Sequence, residues 1–341
     1  MVWNLVLYSL IKIVCVIGPL LGMVAYSVLA ERKISAFIQN RYGPNRVGPG
    51  GVWQPIADGL KLFLKEDFTP AYVRKAFFWL APALVMIPAL MTLAVIPFGS
   101  RLGEQKMVIA DLNVGILYTF GIVSLGVYGI VLAGYASNSK YPFLGGIRSS
   151  AQLISYEIAM GLSVIPVFML VGSLNLSRVI AYQAHGAWLA FKQPLAFFIF
   201  LVAAFAETNR LPFDLPEAEQ ELVGGYHTEY SSMKFALFFL GEYANMIASS
   251  AIMVTLFLGG WTLPVAGLDQ PAQSIGVGLV HILIFVAKIA LFMTLFIWVR
   301  WMWPRFRYDQ LMDLGWKRFL PLALANIVAT ALIVYVQTPV G

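Results

Sequence analysis

Long apolar runs separated by short polar connections set the rhythm of the chain, and the runs show no alternation. A stretch such as "LFFLGEYANMIASSAIMVTLFLG" has no period of two, which sets aside a membrane barrel of alternating strands. Runs of about 20 apolar residues, the length that crosses a hydrocarbon core of roughly 30 Å, fall at 5–30, 77–98, 112–137, 152–173, 190–206, 234–258, 276–300 and 319–338. In lipid each helix satisfies its own backbone groups. The expected fold is therefore an all-α integral membrane protein of eight transmembrane helices. No internal repeat or linker divides residues 1–341, so a single membrane domain is expected.

The polar connections predict two further elements. After the Gly/Pro-rich "RYGPNRVGPGG", Ile56, Leu60, Phe63 and Leu64 form one apolar stripe opposite Asp58, Lys61 and Lys65, the pattern of an amphipathic helix lying in the interface. Such a helix serves either as an anchor or as the doorway for a lipid-soluble ligand, and the sequence leaves both open. Between the fifth and sixth spans, Asp214 with Glu217 three residues on makes a capping box, Pro216 falls in the first turn, and Gly224-Gly225 ends a short helix. Gly126, Gly129 and Ala133 give the third span a small-residue face suited to close packing.

Composition agrees with the pattern: 341 residues, 60% hydrophobic and 12% charged, with mean hydropathy +0.78, fit no ordinary soluble domain. Charge then orients the spans. Seventeen Lys and Arg lie on the 1–2, 3–4, 5–6 and 7–8 connections, against Arg101, Lys106 and Arg178, with Lys192 at a helix end, on the other side. The positive-inside rule places both termini outside. Without a basic leader, the first span reads as an uncleaved helix.

Candidate chemistry concentrates in "AETNRLPFDLPEAEQELVGGYHTEY", residues 206–230, where Glu207, Asp214, Glu217, Glu219, Glu221 and Glu229 face the single fixed cation Arg210. Capping explains two or three of these acids. Glu157 in the fourth span, Glu242 in the sixth and Lys288 in the seventh are ionisable residues inside the membrane, where they are costly and usually mark ion paths. Two readings stand: a salt bridge between Lys288 and one glutamate, or a protonatable relay continuous with the acidic loop. The tyrosine after Glu242 is placed to help satisfy a structural acid. One cysteine, Cys15, and three scattered histidines, His185, His227 and His281, build no iron–sulfur, haem or metal site. Neither a dinucleotide fingerprint nor a phosphate loop occurs, so redox centres belong to other chains. The cations of "VRWMWPRFRYDQLMDLGWKRF" sit in an aromatic belt at span ends, and no nucleic-acid partner is expected.

The blocks "ERKISAFIQNRYGPNRVGPGGVWQPIADGLKLFLKE", "AETNRLPFDLPEAEQELVGGYHTEY", "FFLGEYANMI" and "PRFRYDQLMDLGWKRFLPLALA" span nearly the whole chain. They resemble the H subunit of proton-pumping NADH:quinone oxidoreductase, respiratory complex I, the counterpart of mitochondrial NADH dehydrogenase subunit 1. The resemblance implies a multi-pass subunit of the bacterial or mitochondrial inner membrane, with both termini on the outer, periplasmic side. Such a subunit forms most of a quinone tunnel beneath a peripheral arm and starts a hydrated carboxylate path toward other membrane subunits. It implies quinone as substrate, no cofactor bound by this chain, and flavin and iron–sulfur clusters in partner subunits. Carried over by position, the acidic funnel falls on Glu31, Glu157, Glu207, Asp214, Glu217, Glu219, Glu221, Glu229 and Glu242. Arg32, Arg41, Arg46 and Asp58 match positions at the quinone cavity or arm interface, where Arg210 is also expected. No catalytic acid or nucleophile is assigned. A secondary ion transporter and a non-catalytic membrane scaffold are the alternatives; paired broken helices, the pointer to a transporter, are not found.

Overall fold

The computed structural model describes residues 2–215, 222–265 and 267–337. Its helices are α1 (Val2–Ile38), α2 (Gln54–Leu64), α3 (Lys75–Thr92), α4 (Gly115–Ala136), α5 (Lys140–Val171), α6 (Leu176–Ala184), α7 (Leu189–Lys192), α8 (Pro194–Glu207), α9 (Ser232–Phe257), α10 (Ile275–Met302), α11 (Tyr308–Asp313) and α12 (Leu320–Gln337). A π-helical stretch, Leu314–Phe319, joins α11 to α12. The sole sheet among the described residues is a two-stranded hairpin, β1 (Arg101–Leu102) antiparallel to β2 (Gln105–Lys106).

Seven helical stretches are long and apolar enough to cross a membrane: Val6–Ile38, Lys75–Val95, α4, α5, α9, α10 and Tyr308–Gln337. At the remaining expected span, 190–206, the chain instead forms α7 and the 14-residue α8, broken at Gln193. Fourteen residues rise only about 21 Å, short of a hydrocarbon core. The break is held in place from α12, where Asn326 donates to Gln193 Oε1 at 3.2 Å and Gln193 donates to Thr330 Oγ1 at 3.0 Å.

Two helices overrun their apolar segments. α1 continues past residue 30 because Glu31 finds buried partners there. α5 begins at Lys140 rather than 152, so Glu157 lies mid-helix. The polar start of α5 is helical because Gly145 and Gly146 let it touch Gly225 and α4: a Cβ on Gly145 would meet Gly225 Cα at 3.0 Å. The short acidic-loop helix expected around Pro216, with Glu217, Glu219 and Glu221, lies outside the described residues. α2 is helical as expected and buries none of its residues.

α9 is the central helix, with 67% of its apolar window buried, whereas α1 and Tyr308–Gln337 stand at the edges with 17%. Small residues set its approach and that of α4 to α3. Cβ atoms on Gly129 and Gly241 would meet Val85 side-chain atoms at 2.6 and 2.8 Å, and Ala133 is fully buried. Gly126 departs from the expected packing role: nothing lies within 4 Å of its Cβ position, and open space remains beside it.

The connections sort to two faces. The acidic loop and the basic connections share one. On the other, Asp111 ties the hairpin to α6, accepting from Lys106 at 2.8 Å, from the α6 N-cap Asn175 at 2.8 Å and from Ser177 at 3.2 Å. Partial burial opposes ionisation of Asp111, but Lys106, Asn175 and Ser177 together outweigh it and hold the carboxyl below its ordinary value. A depressed folded-state pKa means that the tie is intact above the unfolded value and is lost as pH falls through the folded one. Asp111→Asn imitates that loss at neutral pH. It is expected to raise tryptic cleavage after Arg101 and Lys106 several-fold, read by mass spectrometry; wild-type cleavage rates in the variant would show that the tie does not hold the hairpin.

Candidate functional site

α8 ends at a left-handed Asn209 (φ 51°), with Arg210 N–H bonding back to Phe205 O at 3.3 Å. That reversal turns Arg210 inward. Its Nε lies 2.7 Å from Glu242 Oε1 on α9, its Nη1 lies 3.5 Å from Glu31 Oε1 on α1, and its guanidinium sits 4.5 Å from the Tyr243 ring centroid. Arg300 of α10 pairs with the same Glu31 oxygen, and Tyr243 donates its hydroxyl to Glu31 Oε2 at 2.5 Å. Two carboxylates and two guanidiniums thus balance in a cluster that joins α1, α9 and α10 to the turn after α8. The tyrosine after Glu242 satisfies Glu31, not its neighbour.

One side of the cluster borders a cavity of about 40 Å³ lined by Glu242, Glu207, Glu157, Asn209, Asn245 and the open Gly126 position. A water needs roughly 10–15 Å³ of such space and two or more polar partners, so the cavity has room for a few. Glu157 accepts a hydrogen bond from Ser124 of α4, and Glu207 Oε2 is enclosed without a partner among the described residues. Three of the acids singled out in the sequence therefore share one void, whose other walls include Val85, Val123, Ile130, Leu153 and Phe238.

The other side borders a chamber of about 420 Å³ between α1, α2 and α9, walled by Val24, Val28, Leu62, Phe235 and Phe239, with Tyr243 at the cluster. Its polar rim is the Arg32–Asp58 pair at 2.6 Å, steadied by Gln54 donating to Asp58 Oδ1 at 3.0 Å. Arg41 and Arg46 stand exposed on the loop after α1, outside the chamber; Arg41 bonds Gln39 Oε1 at 2.7 Å. Arg210 is inside the cluster and not on the chamber wall.

Two further acids among the described residues, Asp214 and Glu229, are held at the loop's edges. Asp214 pairs with Arg305 at 3.1 Å. Glu229 accepts from Tyr72 at 2.7 Å, and that hydrogen bond, with slight desolvation and the carboxylate's charge, raises the exposed phenol above its ordinary pKa. Among the described residues Lys288 pairs with no glutamate, contrary to the salt-bridge reading. Its ammonium donates to the carbonyls of Leu258 (2.6 Å), Gly260 (2.9 Å) and Thr262 (2.6 Å), over the Trp188 ring. It sits just past the C-terminal end of α9, where the helix dipole favours a cation, and does not line the carboxylate cavity.

Sequence reading missed Gln152, whose amide donates to Ala206 O at 2.6 Å and Phe213 O at 2.8 Å, clamping the start of the acidic loop to α5. The only signal for it was an amide in the otherwise apolar "AQLISYEIAM". Arg300 was equally unassigned, and the tyrosine after Glu242 was read without its partner, because Glu31 lies far away in sequence.

Removing Arg210 strips Glu242 of its guanidinium partner and Glu31 of one of two, and breaking a buried pair costs roughly 3–5 kcal/mol. Arg210→Met is expected to lower the thermal midpoint of the purified complex or prevent incorporation of the chain. Arg210→Lys should recover only part, since an ammonium lacks the guanidinium fork. Differential scanning fluorimetry reads both, and an unshifted midpoint in Arg210→Met would remove the cluster from its organising role.

A family model described as NADH dehydrogenase matches residues 11–331. The chain is 52% identical to the first of the H subunits of NADH-quinone oxidoreductase in Cytophaga hutchinsonii, over 89% of this chain and 90% of the relative. It is 53% identical to the H subunit of the Rhodospirillum rubrum enzyme, over 94% and 92%, and 51% identical to subunit 8 of the Rhodothermus marinus enzyme, over 93% and 94%.

Proposed function

The chain belongs to the NADH dehydrogenase family and, within it, to the H subunits of NADH-quinone oxidoreductase, which are membrane subunits of complex I, and from that premise we propose how it serves the enzyme. It works beside other subunits of the complex, and quinone is the substrate it admits. The apolar chamber between α1, α2 and α9 is the part of the quinone path built by this chain, with the Arg32–Asp58 pair at its rim. Arg41 and Arg46 face the peripheral arm. The flavin and iron–sulfur centres are carried by partner subunits.

The carrying observation is a shared residue at each junction: Tyr243 belongs both to the chamber wall and to Glu31, and Glu242 both to Arg210 and to the cavity. A change of charge in the chamber acts on Tyr243 and on the Glu31–Arg210 pair. Shifting Arg210 between its two glutamates changes how firmly Glu242 holds a negative charge. Glu242, Glu207 and Glu157 then exchange protons through water in the cavity. Asp214, Glu217, Glu219, Glu221 and Glu229 set the potential at the loop face, and Lys288 is left out of the path.

Glu157→Gln, Glu207→Gln and Tyr243→Phe keep size and remove the titrating or bonding group. Each complex is expected to assemble and to pass electrons from NADH to an artificial acceptor upstream of quinone at wild-type rate. Coupled quinone reduction and pumping should fall at least tenfold for the two glutamates. Undiminished pumping in both would leave the chain a scaffold.

The same reading takes α8 as a shortened eighth crossing, α2 as an interfacial helix, and both termini on the outer side. Ser232 is buried against the end of α2, so the exposed Val223 is the better reporter. In a Cys15→Ser background, Val223→Cys and Gln273→Cys are expected to react with impermeant maleimide from opposite sides, Gln273→Cys from outside. Reaction of both from one side would overturn this topology, and exchange of the two sides would reverse it.

A further inference from the structure

Lys12 is the only charged residue in the first thirty, and a cation within a membrane helix marks a site with a partner to be named. Its ammonium donates to Val108 O at 3.2 Å, in the segment that returns from the hairpin. That is its single bond among the described residues, whereas an ammonium offers three N–H groups.

Below Lys12 on the same face of α1, Cys15, Pro19 and Met23 line one wall of a groove of about 300 Å³, separate from the chamber and the carboxylate cavity. Ile282 and Ile289 of α10 form the opposite wall, and Met107 closes the hairpin end. The groove is apolar throughout, and Cys15 is exposed. At the hairpin end Lys106 is occupied by Asp111, while Lys12 stands one turn before Cys15 on the helix that forms the groove wall.

An apolar slot crowned at one end by an incompletely bonded cation has the polarity of a phospholipid. We propose that the groove between α1 and α10 holds an acyl chain of a phospholipid from the hairpin-side leaflet, with its phosphodiester on Lys12. The lipid seals α1, an edge helix, against α10. A membrane helix of a neighbouring subunit would also fill an apolar slot, but it would leave the free N–H groups of Lys12 without an anion.

The test uses the intact complex in nanodiscs of phosphatidylethanolamine and phosphatidylglycerol carrying a phospholipid with a diazirine in its acyl chain. After irradiation, label is expected on peptides 15–23 and 282–289. Lys12→Met and the groove-filling Ile282→Trp should each lower it at least fivefold, and Lys12→Arg should restore it. Cys15 gives a reading that needs no variant: maleimide labelling of the delipidated complex should slow several-fold when phosphatidylglycerol is returned. Labelling that ignores Lys12→Met and Ile282→Trp would mean ordinary annular lipid and overturn the proposal. So would a Cys15 rate indifferent to lipid, or a groove that stays unlabelled in the complex because a partner helix occupies it.

Discussion

One buried guanidinium decides how the helices meet. Inside lipid, apolar faces gain little by choosing one another over acyl chains, so directional bonds and close backbone contacts set the arrangement. Arg210 reaches Glu242 on α9 and Glu31 on α1, and Arg300 brings α10 to the same Glu31. Neither acid tolerates burial without these cations, and neither cation without the acids. α1 makes few apolar contacts of its own, which leaves this cluster as its strongest attachment at the acidic-loop face.

The connection from Trp303 to Phe319 carries the arrangement outward. Arg305 holds Asp214, Phe306 N–H bonds Pro212 O at 3.1 Å, and the rings of Phe213 and Phe306 stack at 5.5 Å. Farther along, Leu311 O accepts from Tyr156 at 2.9 Å, and a Cβ on Gly315, in the π-helical stretch, would strike Ser155 Oγ at 2.6 Å. π-helical turns within helices are frequent at functional sites. Here one lies against the residues just before Glu157, and Gln152 grips the acidic loop a turn earlier. The loop and the glutamate helix are thus clamped together from two sides.

The apolar spans were legible because crossing lipid fixes length and composition, and seven of the eight expected runs match helices long and apolar enough to cross. Their ends were not. α5 starts inside "KYPFLGGIRSSAQ" because glycine-mediated contacts with α4 and Gly225 hold a polar turn in a helix, and no local pattern reports a tertiary contact. Residues 190–206 have the composition of a span, yet Pro194 opens a new helix after the break at Gln193. At the site, the identity of the acids was legible and their pairing was not: Glu31 and Arg300 are 269 positions apart. Lys288 misled for a different reason. Its partners are backbone carbonyls, which every residue possesses and no sequence distinguishes.

The position of the shared cavity carries a consequence for leakage. From Glu157, the helices toward the hairpin face contain no further acid; the next are Glu104, Asp111 and Asp269 in the connections. The ammonium at that depth is clasped by three carbonyls at the end of α9. On the proposed reading, the wire ends in an insulator. A proton that reaches Glu157 has its onward route sideways, past Ser124 and Gly126 of α4, and not straight through. On that same reading the subunit sits in an energised membrane without short-circuiting it, and whatever current it feeds is completed by a neighbour.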